Sequence, residues 1–218
     1  MELTKNVYFY PESGMLDANT YIVKDKDTII IDVGFENYFP ELFKQMEKDG
    51  FAPSDIDIIT NTHIHLDHYS GNKALKDISG ARVLTHPLFN EYFEVSAAGV
   101  ARMFGAKPLS LTDDGELTEN IFEETEFKIL NTPGHSPESL CFYSSKLKIL
   151  ICGDLIFKGN TGRVDFPGGD PSLLKESIER MAKVDIEMVL PGHMEYIKGK
   201  EEVIQNFKFI KDFVFNWL

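Results

Sequence analysis

The order of hydrophobic and polar positions along the chain predicts strands at the start and alternating strands and helices later. Near the start, short runs of β-branched and aromatic residues are separated by polar turns, which is typical of strands. Farther along, apolar residues recur at helical spacing between further strand-like runs. The predicted strands are residues 7–10, 20–23, 28–31, 56–60, 82–85, 126–130, 139–143, 148–152 and 187–190. The predicted helices are residues 38–48, 69–77, 88–104 and 172–184, with a last helix from about residue 201.

This succession predicts an α/β (α+β) fold, a mixed sheet system covered by helices, in one domain over residues 1–218. No repeat, low-complexity tract or linker interrupts the pattern. The least regular stretch, residues 105–115, is short and is predicted to be a loop. The helix predicted at 88–104 is rich in aromatic residues, and we expect it to pack on the core or to wall a substrate groove.

The end of the chain carries an amphipathic pattern with additional aromatic residues. Five apolar positions follow a 4-3-4-3 spacing, which predicts one helix face packed on the core: Val203, Phe207, Ile210, Val214 and Trp217. Three further aromatic residues lie outside that stripe: Phe209, Phe213 and Phe215. Core packing is the default interpretation, and a homodimer contact is the alternative hypothesis.

The charge balance argues against nucleic acid and membranes as partners. Acidic residues number 35 against 22 basic residues, which gives a formal net charge of −13. Such a surface repels phosphate backbones and anionic lipid. The first residues lack a signal-peptide pattern, no apolar run approaches the length of a membrane span, and the two cysteines can form at most one disulfide. We therefore expect a cytoplasmic protein that binds neither nucleic acid nor membranes.

Four candidate metal ligands stand within residues 63–68, whose sequence is HIHLDH. His63 and His65 are two positions apart, so in extended backbone past a strand their side chains point to the same side. Asp67 and His68 follow where a helix should begin, and the backbone turn there can aim them at a second point nearby. Imidazole and carboxylate together suit Zn²⁺ or Fe²⁺ rather than Ca²⁺ or a metal that prefers thiolates. The segment therefore predicts a metal site.

Three further ligand-type residues stand alone downstream, each directly after a glycine where a predicted strand has ended. They are His135, Asp154 and His193. Glycine lets the backbone turn sharply there, and sites in sheet proteins tend to collect where strands end. Five of the six histidines are thus predicted to belong to one site, and the sixth, His86 before Pro87, is expected to be structural.

In these residues the sequence resembles the metallo-β-lactamase superfamily, through the HxHxDH motif at 63–68 and the three downstream ligands in the same order. The resemblance implies a four-layer αββα sandwich with its metal site at one edge of the two sheets. It implies seven ligands in two groups that share one carboxylate: His63, His65 and His135 for one metal, Asp67, His68 and His193 for the other, and Asp154 bridging them.

The resemblance also implies a chemistry. Two divalent ions, foremost Zn²⁺ with Fe or Mn as alternatives, lie about 3.5–4 Å apart in such sites and lower the pKa of a shared water toward about 7. Asp67 is then expected to act in catalysis by orienting the resulting hydroxide as well as holding a metal. A thioester is a fitting substrate because a leaving thiol with a pKa near about 8.5 needs little protonation.

The substrate class rests on residues 162–170, which resemble a loop of the single-domain glyoxalase II-like hydrolases. The hypothesis is a dinuclear hydrolase of a small acyl-thiol. Arg163 either holds a substrate carboxylate or pairs with Asp165, and the sequence leaves both open. The first alternative function is a mononuclear iron persulfide dioxygenase. The second, which the acidic charge disfavours, is a nuclease acting on RNA or another phosphodiester.

Overall fold

The computed structural model describes residues 1–14 and 16–218. Its strands are β1 Glu2–Thr4, β2 Val7–Tyr10, β3 Thr20–Lys24, β4 Thr28–Ile31, β5 Ile58–Thr60, β6 Arg82–Thr85, β7 Gly115–Glu116, β8 Phe127–Asn131, β9 Leu140–Ser144, β10 Ile149–Gly153, β11 Ile156–Phe157, β12 Asn160–Thr161, β13 Met188–Pro191 and β14 Ile197–Lys198. Its α-helices are α1 Phe39–Lys48, α2 Leu66–Tyr69, α3 Asn72–Ser79, α4 Pro87–Tyr92, α5 Ala97–Met103, α6 Pro171–Met181 and α7 Lys200–Phe213. In the described ranges, no helix is both long and apolar enough to cross a bilayer.

Two large sheets organise these elements. The first has seven strands in the order β1-β2-β3-β4-β5-β6-β7, antiparallel up to β4 and parallel from β4 onward. The second has five strands in the order β14-β13-β10-β9-β8, in which only the β10–β13 pair is parallel. Strands β11 and β12 form a separate hairpin.

The central strands bury both of their faces. Ile29 of β4 and Ile151 of β10 belong to one buried cluster, which lies between the two sheets. The neighbouring Ile30 packs instead with residues of α1 and α3, and Leu150 packs with residues of α6 and α7. Alternate residues of a strand point to opposite faces, so the sheets form two inner layers with helices outside each. This confirms the predicted αββα sandwich.

The prediction of one continuous helix over residues 88–104 is wrong, because turns at residues 93–96 separate α4 from α5. In that turn Ser96 is fully buried, and its hydroxyl donates a 2.8 Å hydrogen bond to the buried carboxylate of Glu138. Glu138 belongs to the segment between β8 and β9. Periodicity within 88–104 cannot register a contact with so distant a segment.

Two other helix boundaries differ from the prediction. The helix predicted at 69–77 is divided between α2 and α3 at Gly71, whose N–H donates to the carbonyl of Gly34 at 2.8 Å. At the C-terminus, Val203, Phe207 and Ile210 are buried as predicted, but Trp217 is 90% exposed. The α-helix has ended by then and a 3₁₀ turn follows, so the 3.6-residue spacing no longer applies.

A hydrogen-bonded carboxylate ties the two sheets together at the β3–β4 turn. Asp25 accepts hydrogen bonds from the backbone N–H of Glu124 (2.9 Å) and from both the N–H (2.8 Å) and the hydroxyl (2.5 Å) of Thr125. Burial by itself would raise the pKa of Asp25, but these bonds outweigh it and lower the pKa. The carboxylate therefore stabilises the fold at neutral pH.

We expect Asp25→Ala to lower the free energy of unfolding at pH 7 by about 1.5–3 kcal/mol, the range for hydrogen bonds to a charged group. Because the folded-state pKa is depressed, this contribution is present above the unfolded-state pKa near 3.8 and is lost as the pH falls through the folded-state value. Urea unfolding at pH 7 and pH 3 measures it, with Asp27→Ala in the same turn as the control. An equal effect at both pH values would contradict the prediction.

Candidate metal centre

The predicted ligands lie at the ends of strands on one edge of the sandwich. Residues 63–68 follow β5, His135 follows β8, Asp154 follows β10 and His193 follows β13. Strand β9 is antiparallel to both β8 and β10, and β10 is parallel to β13, so β8, β10 and β13 run in the same direction. Their C-terminal ends therefore meet at one edge.

Three imidazoles converge at this edge. His65 Nδ1 lies 3.1 Å from His63 Nε2 and 2.8 Å from His135 Nε2, and all three rings are buried. At most one proton can lie between each pair of these nitrogens. The hydrogen-bonding capacity of three nitrogens that face one point is therefore poorly satisfied among themselves. A metal about 2.0–2.1 Å from each nitrogen would require them to be spaced much as they are.

A second group lies beside the first. Asp67 Oδ2 is 3.2 Å from His193 Nε2 and 3.7 Å from His68 Nε2. The carboxylate of Asp154 stands between the groups, with Oδ1 3.5 Å from His68 Nε2 and Oδ2 3.4 Å from His135 Nε2 and 3.5 Å from His193 Nε2. All seven predicted residues are thus brought together.

The donor set fits a divalent metal. His68 Nε2 and Asp154 Oδ1 are buried and have no hydrogen-bond partner among the described residues. Leaving such atoms unsatisfied costs about 1–3 kcal/mol each, a penalty that a bound cation removes. Three overlapping sets of ligand atoms lie within 4.8 Å of one another: His63, His65 and His135; His63, His68 and Asp154; Asp67, His68 and His193. Nitrogen and carboxylate donors suit zinc, iron or manganese.

Comparison with known proteins decides the family. A sequence profile described as the metallo-β-lactamase superfamily matches residues 14–193. The chain belongs to the metallo-β-lactamase superfamily. It is a metal-dependent hydrolase of that superfamily, with a His/Asp cluster capable of binding metal.

Individual members of the superfamily resemble the chain over most of its length. A probable metallo-hydrolase of Methanocaldococcus jannaschii is 30% identical over 187 residues, which cover 82% of this chain and 88% of the relative. A hydroxyacylglutathione hydrolase of Haemophilus influenzae is 28% identical over 84% of this chain and 87% of its own length. A crystal structure of TTHA1623 in a di-iron-bound form superposes with a TM-score of 0.72 at 29% identity, covering 90% of this chain and 96% of that one.

Most candidate ligands of this metallo-β-lactamase-superfamily site have the protonation state that binds a cation. Burial lowers the pKa of His63 well below its ordinary value and that of His65 to about 3, so both imidazoles are neutral. Burial by itself would raise the pKa of Asp67 and Asp154, but the neighbouring histidines outweigh it and hold both carboxyls below their ordinary pKa. Neutral imidazole and ionised carboxylate are the forms that bind metals.

His68 and His193 are the exceptions, and each is held by a carboxylate that sequence reasoning missed. Burial by itself would lower the pKa of His193, but Asp154, Asp67 and Glu12 outweigh it and raise the pKa well above its ordinary value. Burial lowers the pKa of His68, but Asp32 and Asp67 outweigh it and raise the pKa to about 9. Asp32 Oδ2 lies 3.0 Å from His68 Nδ1, and the same carboxylate accepts bonds from the N–H (2.8 Å) and hydroxyl (2.7 Å) of Thr62. Asp32 therefore fixes the ring so that Nε2 faces the site. The one sequence signal was an acidic residue directly after a strand of isoleucines.

Glu12 holds His193 in the same manner. Its Oε2 lies 2.9 Å from His193 Nδ1, and its Oε1 accepts the N–H of Met194 at 3.3 Å. The N–H of Glu12 in turn donates to Asn19 Oδ1 at 3.0 Å, and the Asn19 amide donates to the carbonyls on either side of residues 192–193. Nothing in the sequence near Glu12 pointed to this role, because the contact joins the two ends of the chain.

We expect Asp32→Asn to weaken metal binding by about 10–100-fold, the usual cost of losing the group that orients a ligand. The amide keeps the size of the side chain but removes the charge that faces His68 Nδ1. Competition with a chromophoric chelator measures the metal affinity. Asp77→Asn, at an exposed position of α3, is the control with the same charge change. Unchanged affinity in Asp32→Asn would mean that the fold alone orients His68.

The structure also places the two remaining residues singled out from the sequence. Of the two arrangements open for Arg163, it has the pair with Asp165, through two 2.6 Å hydrogen bonds. The carbonyl of Arg163 also lies 2.7 Å from His135 Nδ1. His86 precedes α4 and accepts the N–H of Leu88 at 3.3 Å, which agrees with the structural role expected for it.

Proposed function

We propose that this protein hydrolyses small thioesters with two divalent metal ions, foremost zinc. The observation that carries the proposal is the position of Asp154, whose carboxylate faces both groups of ligands. In this proposal the first metal is held by His63, His65 and His135, the second by Asp67, His68 and His193, and Asp154 serves both. The buried, unpaired Cys141 and Cys152 favour a reducing compartment, and we propose the cytoplasm.

The candidate ligands differ in how far their side chains are exposed to solvent. Asp67 and His193 keep about a quarter and a fifth of their side chains exposed, at 25% and 21%, whereas His63 and His65 are buried. The substrate is therefore expected to approach from the side of Asp67 and His193. Asp67 is ionised, and its carboxylate orients the attacking water by accepting a hydrogen bond from it.

When bound, the metal ions supply Lewis acidity for the carbonyl and a water of lowered pKa. Water adds to the thioester carbonyl carbon, and the carbon–sulfur bond breaks with its electron pair going to sulfur. The products are a carboxylic acid and a thiol. A thiol with a pKa near about 8.5 leaves readily as thiolate, so the reaction needs no dedicated acid side chain.

The comparison with the hydroxyacylglutathione hydrolase of Haemophilus influenzae supports an acyl-thiol substrate, because the two chains match over nearly all of that relative. Because the similar structure of TTHA1623 is a di-iron-bound form, iron remains the alternative to zinc in this proposal.

Metal content and turnover measured on one preparation test the proposal. We expect close to two zinc ions per chain by elemental mass spectrometry and release of thiol from S-lactoylglutathione or a non-glutathione thioester. About one iron per chain with oxygen uptake on a persulfide would replace the proposal by the dioxygenase. Cleavage of RNA without thioester turnover would replace it by the nuclease.

A further inference from the structure

An aromatic ring stands against one ligand of the candidate centre. Phe166, in the loop after β12, has its ring centroid 5.6 Å from that of His65, with the two planes nearly perpendicular at 86°. The side chain of Phe166 is half-buried. A substrate bound at the candidate centre would therefore meet an apolar surface beside His65.

A second ring extends that surface toward solvent. Phe104, at the end of α5, lies 5.6 Å from Phe166 at an interplanar angle of 87°, and it is 62% exposed. The helix and the loop also meet at Gly99, where a Cβ atom would lie 3.0 Å from Pro167. Two separate contacts thus hold Phe104 beside Phe166. We call these two rings the aromatic wall.

Two arginines, one on each of the segments that carry the aromatic wall, are already paired. The guanidinium of Arg163 lies 4.0 Å from the centroid of Phe166 and is bound by both oxygens of Asp165 at 2.6 Å. Arg102 on α5 donates to the carbonyl of Glu94 at 2.9 Å and to its carboxylate at 3.2 Å. A substrate carboxylate would have to displace these acidic partners to reach either guanidinium.

We propose that the aromatic wall selects thioesters by an apolar group, aromatic or long aliphatic, and that substrate carboxylates are not anchored there. The inference deepens the proposed function and rests on it. An apolar acyl group would bury the exposed face of Phe104 and could meet its ring edge to face. The paired arginines would add no preference for an anionic thiol such as glutathione.

The test compares kcat/KM for acetyl, butanoyl and phenylacetyl thioesters of one small neutral thiol. We expect phenylacetyl to exceed acetyl by about tenfold, the low end of discrimination by apolar contact, because the wall is open on one side. Phe104→Ala should bring the phenylacetyl-to-acetyl ratio close to 1, and Phe104→Leu should keep part of it. Phe213→Ala, an equally exposed phenylalanine on α7, should leave the ratio as in the wild type.

Calorimetric binding of S-benzyl and S-methyl thioethers of the same thiol separates this inference from the proposed function. If no thioester is hydrolysed, the proposed function fails, yet tighter binding of the S-benzyl compound that disappears in Phe104→Ala would still support the wall. Equal binding of both thioethers, or equal turnover of all three acyl groups, overturns the inference. A preference for the glutathione thioester that Arg163→Ala abolishes would also overturn it, because Arg163 would then be the anchor.

Discussion

Asp154→Ala is expected to abolish thioester turnover, with kcat/KM falling by about 1,000-fold or more, as for loss of a principal electrostatic group. Asp154 is the residue whose carboxylate faces both ligand groups, with contacts of 3.4–3.5 Å to His68, His135 and His193. In the proposed dinuclear centre, its removal would leave each group one ligand short and remove one of the carboxylates that face the histidines. Bound metal should therefore fall together with activity.

Activity and metal stoichiometry should be measured on the same samples of Asp154→Ala and of Asp154→Asn, which keeps the shape of the side chain but not its charge. Asp212→Ala, at an exposed position of α7, is the control because it also removes one acidic residue. Full activity with unchanged metal content in Asp154→Ala would overturn the dinuclear proposal.

Gly192→Ala is expected to lower kcat/KM by about 100-fold, as a 1 Å displacement of reacting groups does. A Cβ atom at Gly192 would lie 2.2 Å from Asp154 Oδ1 and 2.8 Å from His68 Cε1. These two nearest neighbours are side chains, and the backbone carbon of Gly153 lies next at 3.1 Å. Most of the room for the methyl group must therefore come from rotating the Asp154 carboxylate or the His68 ring. Either movement displaces a ligand while the fold is retained.

Metal stoichiometry, kcat/KM and urea unfolding of Gly192→Ala together check this result. Gly80→Ala is the matched control, because its φ of +79° disfavours alanine but no atom lies within 4 Å of the added methyl group. The Gly80→Ala variant should be about 1–2 kcal/mol less stable than the wild type and should keep its full activity. Wild-type turnover in Gly192→Ala would mean that Asp154 is not needed in its present position.

The features that could be predicted from the sequence depend on neighbouring residues. The strand-like runs predicted at 28–31 and 148–152, both rich in isoleucine, became β4 and β10 because apolar, largely β-branched residues buried on both faces form strands. His63 and His65 point to one centre because extended backbone repeats every two residues. The break between α4 and α5 escaped prediction because it depends on a bond from Ser96 to Glu138 in another segment.

The same distinction separates the ligands from the residues that orient them. Histidines and aspartates in a recognisable order identified the candidate centre, since few side chains bind metals. Asp32 and Glu12 are ordinary acidic residues in the sequence, and their roles depend on lying 3.0 Å from His68 and 2.9 Å from His193. The first distance arises when β4 pairs with β5 within the first sheet. The second exists only once the first and second sheets are packed together, because Glu12 follows β2 and His193 follows β13.

By itself, the sequence determined the kinds of candidate ligand, the strand ends that carry them and, through the motif, the family to which the chain belongs. Spacing sets the direction of nearby side chains, and that was sufficient for residues 63–68. Only the tertiary structure decided that Arg163 pairs with Asp165, that Phe104 meets Phe166, and that Asp154 faces both groups. Such contacts join separate segments or choose between local alternatives, so they follow from strand direction, register and the packing of loops rather than from local order.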